Sequence, residues 1–284
     1  MKVPPVQAKT ILVTGCSSGI GEATAFHLRD SGWEVLPTAR KPEDLARLEA
    51  HGFKAIELDL ASSESVQGAI KTCLQMVPGG LGGIVNNAGM AMPGAVEDLS
   101  REALRRQFEV NVFGLQELTN GLIPTFRKQG WGRIVNVSSI YGLITAPMVG
   151  SYCASKYALE ALSDAMRIEL APAGIGVSLI EPGPIVTKFR KNAVAALEDS
   201  VLTGDVRYED AYRKEAERRK KQNKKPDFIN RPPEDVAVKI AHALESPDPK
   251  RRYLITPPAY LGAFLKRFVP SALLDRLMAR QVPR

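Results

Sequence analysis

Tyr152 and Lys156 stand four residues apart in "YCASK", in a helix-forming stretch, so their phenol and ammonium share one face and lie one turn apart. A phenol titrates near pH 10. Bringing it down by about 2 to 3 units, for proton transfer near neutrality, requires about 3 to 4 kcal/mol of selective stabilisation of the phenolate. A neighbouring ammonium supplies part of that. Near the start of the chain, "ILVTGCSSGIGEA" (11–23) fits two incompatible patterns. Gly15-Cys16-Ser17-Ser18-Gly19 matches the G-x-S-x-G nucleophile elbow of a hydrolase, whereas Gly15, Gly19 and Gly21 match a turn whose backbone approaches a phosphate at a helix N-terminus. Both patterns sit between a strand and a helix, so the elements around them must decide.

Short β-branched runs alternate with longer amphipathic ones. Strands are predicted at "TILVTG" (10–15), "WEVLPTAR" (33–40), "KAIELDL" (54–60), "GGIVNNAG" (82–89), "GRIVNVSS" (132–139), "IGVSLIEPG" (175–183) and "RYLIT" (252–256). The segments between them place apolar residues three and four apart, as in "EATAFHLRDSG", which ends on a C-terminal glycine, Gly32. Near-continuously apolar strands separated by helices imply an α/β domain with a parallel sheet covered on both faces. No repeat or linker divides the 284 residues, a length compatible with one α/β domain.

This order of elements disfavours the elbow. A hydrolase elbow needs an earlier strand and loop to donate half of its oxyanion hole, and an acid and a histidine downstream. Ser17 follows the first strand. His27, His51 and His242 all fall on predicted helices or a helix end, where structural roles are expected. Composition narrows the class further: 44% hydrophobic and 24% charged residues suit a globular protein. Cys16, Cys73 and Cys153 form an odd set in a chain too large to need disulfide staples, which points to a reducing, cytoplasmic setting. The first ten residues have no apolar core, and no run of eighteen apolar residues occurs, so neither secretion nor a membrane span is expected. The net charge of +7 is concentrated in "RKEAERRKKQNKK" (213–225), with eight basic and two acidic side chains; a nucleic-acid footprint spread over the surface is not indicated.

Six ordered motifs, "TGCSSGIG" (14–21), "NNAG" (86–89), Asn111 in "EVNVFG", "NVSS" (136–139), "YCASK" (152–156) and "EPGPIVT" (181–187), resemble the signatures of classical short-chain dehydrogenases/reductases. The resemblance runs from residue 10 to about 187, with "RYLIT" also in place, and is nearest in character to the hydroxysteroid and retinol dehydrogenase branch. It implies a Rossmann-type doubly wound sheet of about seven strands. The whole chain, 1–284, would be one domain: a cofactor-binding and catalytic core over 10–187, a substrate flap over 188–232, and a last strand and tail over 251–284. It also implies hydride transfer between a nicotinamide dinucleotide and an alcohol or carbonyl compound. Tyr152 would be the general acid/base, Ser139 the partner of the substrate oxygen, Lys156 the holder of the nicotinamide ribose, and Asn111 the anchor of a water chain. An oxidised, cationic nicotinamide ring would lower the phenol further. Ser138 is the rival of Ser139; strand alternation lets only one of them face the site, and the family spacing selects Ser139.

For the dinucleotide, the resemblance implies contacts from Gly15, Ser17, Ser18, Gly19, Ile20 and Gly21 in the glycine turn, and from Arg40, Asp59 and Leu60 on the adenosine side. Asn87, Ala88 and Gly89 would follow, then Tyr152 and Lys156, and finally Pro182, Gly183, Ile185 and Thr187 around the carboxamide. Asp59 has a competing role as a helix N-cap ahead of "SSES", which Ser62 can fill instead. At the end of the second strand, where NAD-type members carry an acid, this chain has Ala39 followed by Arg40. A lost carboxylate and a gained guanidinium favour NADP(H), with NAD(H) as the alternative. The second basic determinant that some NADP-type members carry inside the glycine turn is absent, because Cys16 and Ser18 are uncharged.

Met90, Met92, Leu143, Met148, Val149 and Pro184 would surround an apolar substrate, a small-molecule alcohol, ketone or aldehyde, although core packing explains the methionines equally well. A silent nucleotide-sensing module on the same fold is the competing class, as is a peripheral binder of anionic surfaces that uses the basic segment. The helices around 101–126 and 152–170 carry apolar residues on more than one stripe, which implies a homodimer or tetramer. Residues 207–230 are expected to start helical and stop at Pro226. They would form either a solvated outer face or an electrostatic lip for an acidic substrate, an acyl carrier or an anionic membrane. The amphipathic tail "FLKRFVPSALLDRLMAR" would assist such peripheral contact.

Overall fold

The computed structural model describes residues 3–200, Tyr208, 212–214, Glu217 and 225–279, with only the backbone of 196–200. In chain order the elements are β1 (Thr10–Val13), α1 (Gly19–Asp30), β2 (Glu34–Ala39), α2 (Pro42–Ala50), β3 (Ile56–Glu57), α3 (Ser63–Met76), β4 (Gly83–Asn86), α4 (Arg101–Phe108), α5 (Gly114–Gln129) and β5 (Gly132–Val137). They continue with α6 (Gly150–Leu170), β6 (Ile175–Pro182), α7 (Phe189–Ser200), α8 (Pro233–Glu245), β7 (Arg252–Ile255), α9 (Pro257–Phe268) and α10 (Ser271–Ala279). Among the described residues, no helix is long and apolar enough to cross a membrane.

Seven strands form one parallel sheet in the order β3-β2-β1-β4-β5-β6-β7. Alternation along each strand feeds both faces. Ile11, Val13, Val85, Val135 and Ile180 join one core with Leu28 of α1 and Val236 and Ile240 of α8. Leu12, Leu36, Ile84, Ile134 and Val177 join a second with α3, α5 and α6 through residues such as Ile70, Leu118 and Leu159. This explains why the strands read as unbroken apolar runs. The strand order reverses between β1 and β4, and that switch point opens a crevice beyond the carboxyl ends of the strands.

The ladders stop earlier than the sequence predicts, and at β1, β4, β5 and β6 the glycines, asparagines and serines that end the run belong to the turn beyond the strand. The largest shortfall is β3, which keeps only two paired residues of the seven expected. It is an edge strand and pairs with β2 alone, Thr38 opposite Ile56 and Ala39 opposite Glu57. Cys16, Cys73 and Cys153 are all buried as free thiols, and burial pushes the first two up to about 12. Of the helix expected after residue 207, Tyr208, 212–214 and Glu217 are described, with 212–214 helical, whereas Lys220, Lys221 and Lys224 lie outside the described residues. Tyr212 is described: it is buried, its hydroxyl accepts from the Ala95 N–H at 2.7 Å, and it also bonds the Asp98 carboxylate.

One arginine ties β6, β7 and α6 together below the crevice. Arg252 reaches Glu181 of β6 at 2.5 Å and Asp164 of α6 at 2.7 Å, and it also pairs with Glu160 of α6. Burial, then the neighbouring Glu160 carboxylate, raises Glu181 from its ordinary 4.5 to about 7. A folded-state value above the unfolded one means that the contribution of Glu181 to stability is complete below pH 4.5 and is lost as pH rises through about 7. Glu181→Gln is therefore expected to flatten the decline in stability across that window. Urea unfolding at a series of pH values measures it, and an unchanged slope would place the titration elsewhere.

Candidate active site

All the predicted site segments meet at the carboxyl ends of the strands, around one cavity of about 1910 Å³. That exceeds the volume of a single drug-sized ligand and leaves room for a dinucleotide with a second molecule beside it. Gly15, Arg40, Asp59, Asn87, Ser139, Tyr152, Lys156 and Thr187 all line it, as do the intervening Ser17 to Ile20, Leu60, Ala88, Gly89, Pro182, Gly183 and Ile185.

The β1–α1 turn has the features of an anion cradle. Gly15 has φ +73, and a Cβ there would lie 2.8 Å from the Ala88 backbone. A Cβ on Gly21 would lie 2.2 Å from the Gly15 carbonyl oxygen, so Gly21 does not line the cavity but lets α1 pack against the turn. The N-cap of α1, Ser18, makes no side-chain capping bond, and Ser18 to Ile20 face the cavity. Unpaired N–H groups at the positive end of a helix dipole then point where a pyrophosphate would bind. Arg47 of α2 fixes the turn from behind: it donates to the Ser17 carbonyl at 2.7 Å and pairs with Glu22. Asn87 donates to the carbonyls of Thr14 at 2.9 Å and Gly15 at 3.2 Å, locking the β4 turn to it.

On the adenosine side, Arg40 lies 3.8 Å from Asp59 and is largely exposed. Ser62 caps α3 by accepting from the Ser65 N–H, and Asp59 instead accepts from the Ala61 N–H at 3.0 Å, so Asp59 is not the helix cap. Lys41, which sequence reasoning passed over, also lines the cavity beside Arg40. Its signal was adjacency: a second cation immediately after the strand end.

Tyr152 and Lys156 lie in the first two turns of α6, both buried, with the Lys156 nitrogen 5.8 Å from the Tyr152 ring centre. Lys156 donates to the Val137 carbonyl at 2.8 Å, which draws it toward the end of β5. Ser139 neighbours the Tyr152 hydroxyl and accepts from the Tyr141 N–H at 3.2 Å, whereas Ser138 turns the other way toward Glu160. Burial pushes the Tyr152 phenol well above its ordinary value, with the neighbouring Ser139 hydroxyl opposing. Burial also lowers Lys156 to about 8, with the Glu160 carboxylate opposing. Asn111 sits in a π-helical turn, Glu109–Phe113, between α4 and α5, a distortion frequent at functional sites. It is fully buried behind the cavity wall, accepting from the Met90 N–H at 2.9 Å and donating to Ser155 at 3.0 Å.

The apolar end of the cavity differs in part from the sequence expectation. Met90, Met148, Val149 and Pro184 line it, but Met92 and Leu143 do not; Met92 is fully buried. Tyr141 and Phe189 flank the Tyr152 ring at 6.3 and 5.7 Å, and Leu261, Leu265 and Met278 enter from α9 and α10. These five have no local signature, because only tertiary packing brings the ends of the chain over α6. Met148, on the same rim, has φ +63, an unusual conformation for a side chain of its size.

The elbow reading fails on geometry. His51 donates to the Arg47 carbonyl, His242 contacts the Tyr253 hydroxyl, and neither they nor His27 line the cavity that holds Ser17.

Comparison with known proteins agrees with this arrangement. The short chain dehydrogenase family model matches residues 9–198. The uncharacterized oxidoreductase YbbO of Escherichia coli K12 is 41% identical over 276 residues, spanning 96% of this chain and 95% of that one. The NADPH-dependent 3-dehydrocapnine reductase of Ornithobacterium rhinotracheale is 33% identical over 96% of this chain and 97% of its own. Among solved structures, a short-chain dehydrogenase from Streptomyces avermitilis superposes with a TM-score of 0.75 at 32% identity, covering 96% of this chain and 95% of that one. With its crevice at the sheet's switch point and these relatives across nearly its whole length, the chain belongs to the short-chain dehydrogenase family and is an oxidoreductase of alcohol groups.

Proposed function

We propose that the protein interconverts an apolar alcohol and its ketone or aldehyde, using NADP(H), with Tyr152 as the general acid/base. The observation that carries this reading is the buried Tyr152, beside Ser139 and paired along one helix face with Lys156, at the junction of the anion cradle and the apolar end of the cavity. The residues present fit a dinucleotide, since a side chain at Gly15 would fill the turn that receives the phosphates. When bound, the nicotinamide supplies or accepts the hydride. Ser139 orients the substrate oxygen at hydrogen-bond distance from the phenol. In the reducing direction Tyr152 donates its proton to that oxygen, and in the oxidising direction the phenolate takes it. The Lys156 ammonium stabilises the phenolate and holds the ribose, while its bond to Val137 keeps it in place. The apolar rim of Met90, Met148 and Val149 excludes water from the reacting groups.

Preference for NADP(H) rests on Arg40 and Lys41 beside the end of β2, where Ala39 leaves no carboxylate to repel a 2′-phosphate. The NADPH dependence named for the 3-dehydrocapnine reductase supports the same reading. The apolar faces left outside around α5 and α6, including the exposed Phe113 just before α5 and Ile168 of α6, support a homodimer through these helices.

Three outcomes are expected. Tyr152→Phe abolishes turnover of apolar ketones, read from nicotinamide absorbance, while nucleotide affinity stays within a few-fold; a variant as active as wild type would remove the acid/base role. Wild type prefers NADPH to NADH, and the preference inverts or collapses in Ala39→Asp combined with Arg40→Leu; better use of NADH by wild type would refute it. Light scattering at micromolar concentration gives a dimer mass, and a monomer would refute pairing through α5 and α6.

A further inference from the structure

The two C-terminal helices leave an unusual surface. Of the thirteen large hydrophobic side chains exposed among the described residues, six fall between Tyr260 and Leu277. On α9, Tyr260, Phe264 and Phe268 recur every four residues and so form one stripe, exposed by 59%, 57% and 65%. The Phe264 and Phe268 rings pack together at 4.9 Å, which keeps the stripe continuous. On α10, Leu273 and Leu277 repeat the spacing. Buried positions on the opposite side, Ala259 and Gly262, dock α9 onto the domain, and a Cβ on Gly262 would lie 2.5 Å from Ile140. The stripe is thus the outward face of a helix that is already anchored.

Two further features identify what covers it. The exposed charges on these helices are Lys266, Arg267 and Arg276 against the single acid Asp275, so the apolar stripe carries a positive border. A second copy of the chain would bring the same excess of positive charge against it, whereas an anionic lipid surface complements it. The stripe is also continuous with the cavity. Leu261 lines the cavity while remaining more than half exposed, and Leu265 of α9 and Met278 of α10 line it from the same two helices. The exposed Ile229 lines the cavity as well, with exposed Phe228 next to it in the chain.

We infer that α9 and α10 form a docking surface for an anionic lipid bilayer, seating Tyr260, Phe264 and Phe268 at the interface so that the cavity opens toward the acyl region. An apolar substrate dissolved in the bilayer then reaches the cavity without crossing water. That delivery role rests on the alcohol and carbonyl reading above; the docking itself does not, so the test reads docking with no substrate present.

The full chain is mixed with vesicles of phosphatidylcholine, or of phosphatidylcholine with phosphatidylglycerol, and its partition is read by sedimentation. Wild type is expected to partition onto the phosphatidylglycerol vesicles and to release as salt rises. Phe264→Gln with Phe268→Gln weakens partition by about tenfold per phenylalanine, and Lys266→Gln, Arg267→Gln and Arg276→Gln by about fivefold per charge. Both variants change only exposed side chains outside the cavity, so each keeps its circular dichroism spectrum and its turnover of a small water-soluble ketone. The inference is overturned if wild type stays in the supernatant at low salt, or if the phenylalanine variant partitions like wild type. A phenylalanine variant that instead loses self-association, with no lipid binding by wild type, would assign the stripe to a second copy of the chain.

Discussion

An ammonium held in a dry site governs the arrangement of the whole active centre. Lys156 has lost its water, which lowers its affinity for a proton, and the chain answers with the Val137 carbonyl on one side and the Glu160 carboxylate one helical turn away. Glu160 is buried in turn and needs a cation, which Arg252 brings from β7. Arg252 also meets Glu181 and Asp164, so the charges form a chain running from α6 into the last two strands of the sheet. Each burial of charge creates a demand that the next residue meets. The result is that α6 is positioned by polar groups as well as by its apolar face, and that Tyr152 inherits its place from them.

The glycine-turn side of the cavity is organised by backbone. Its determinants are a glycine with positive φ, a helix that starts without a side-chain cap, and carbonyls braced by Asn87 and Arg47. The two halves of the crevice therefore differ in what they tolerate: the cradle depends on the absence of side chains, and the proton-transfer end depends on the presence of particular ones.

This division explains what the sequence reveals. The seven strands, the parallel sheet and the converging segments were legible because they depend on local alternation and on turn residues that stand in line along the chain. Gly15, Ser139, Tyr152 and Lys156 sit within a few residues of strand ends or helix starts, and the family resemblance, which also selects Ser139 over Ser138, singled them out. Arg252 and its carboxylates were not legible, since Glu160 and Arg252 are 92 residues apart and neither belongs to a local pattern. Tyr141, Phe189 and Leu261 escaped for the same reason. Met92 and Leu143 were expected at the cavity because of their nearness in sequence, but a neighbour along the chain can face the core, as Met92 does. The brevity of β3 was hidden because seven residues of strand-like composition met a partner on one side only.

The burial of all three thiols has a consequence for the chain as a molecule to be handled. Cys16 lies in the β1–α1 turn with its Sγ donating to the Val13 carbonyl, Cys73 lies in α3 and Cys153 lies beside Tyr152. Desolvation keeps each of them a thiol rather than a thiolate, and the thiolate is the species that alkylating reagents and peroxides attack. The three positions sit under three separate parts of the fold. Their labelling rates, resolved by peptide, would therefore report which part opens first, making the cysteines an internal clock for local unfolding.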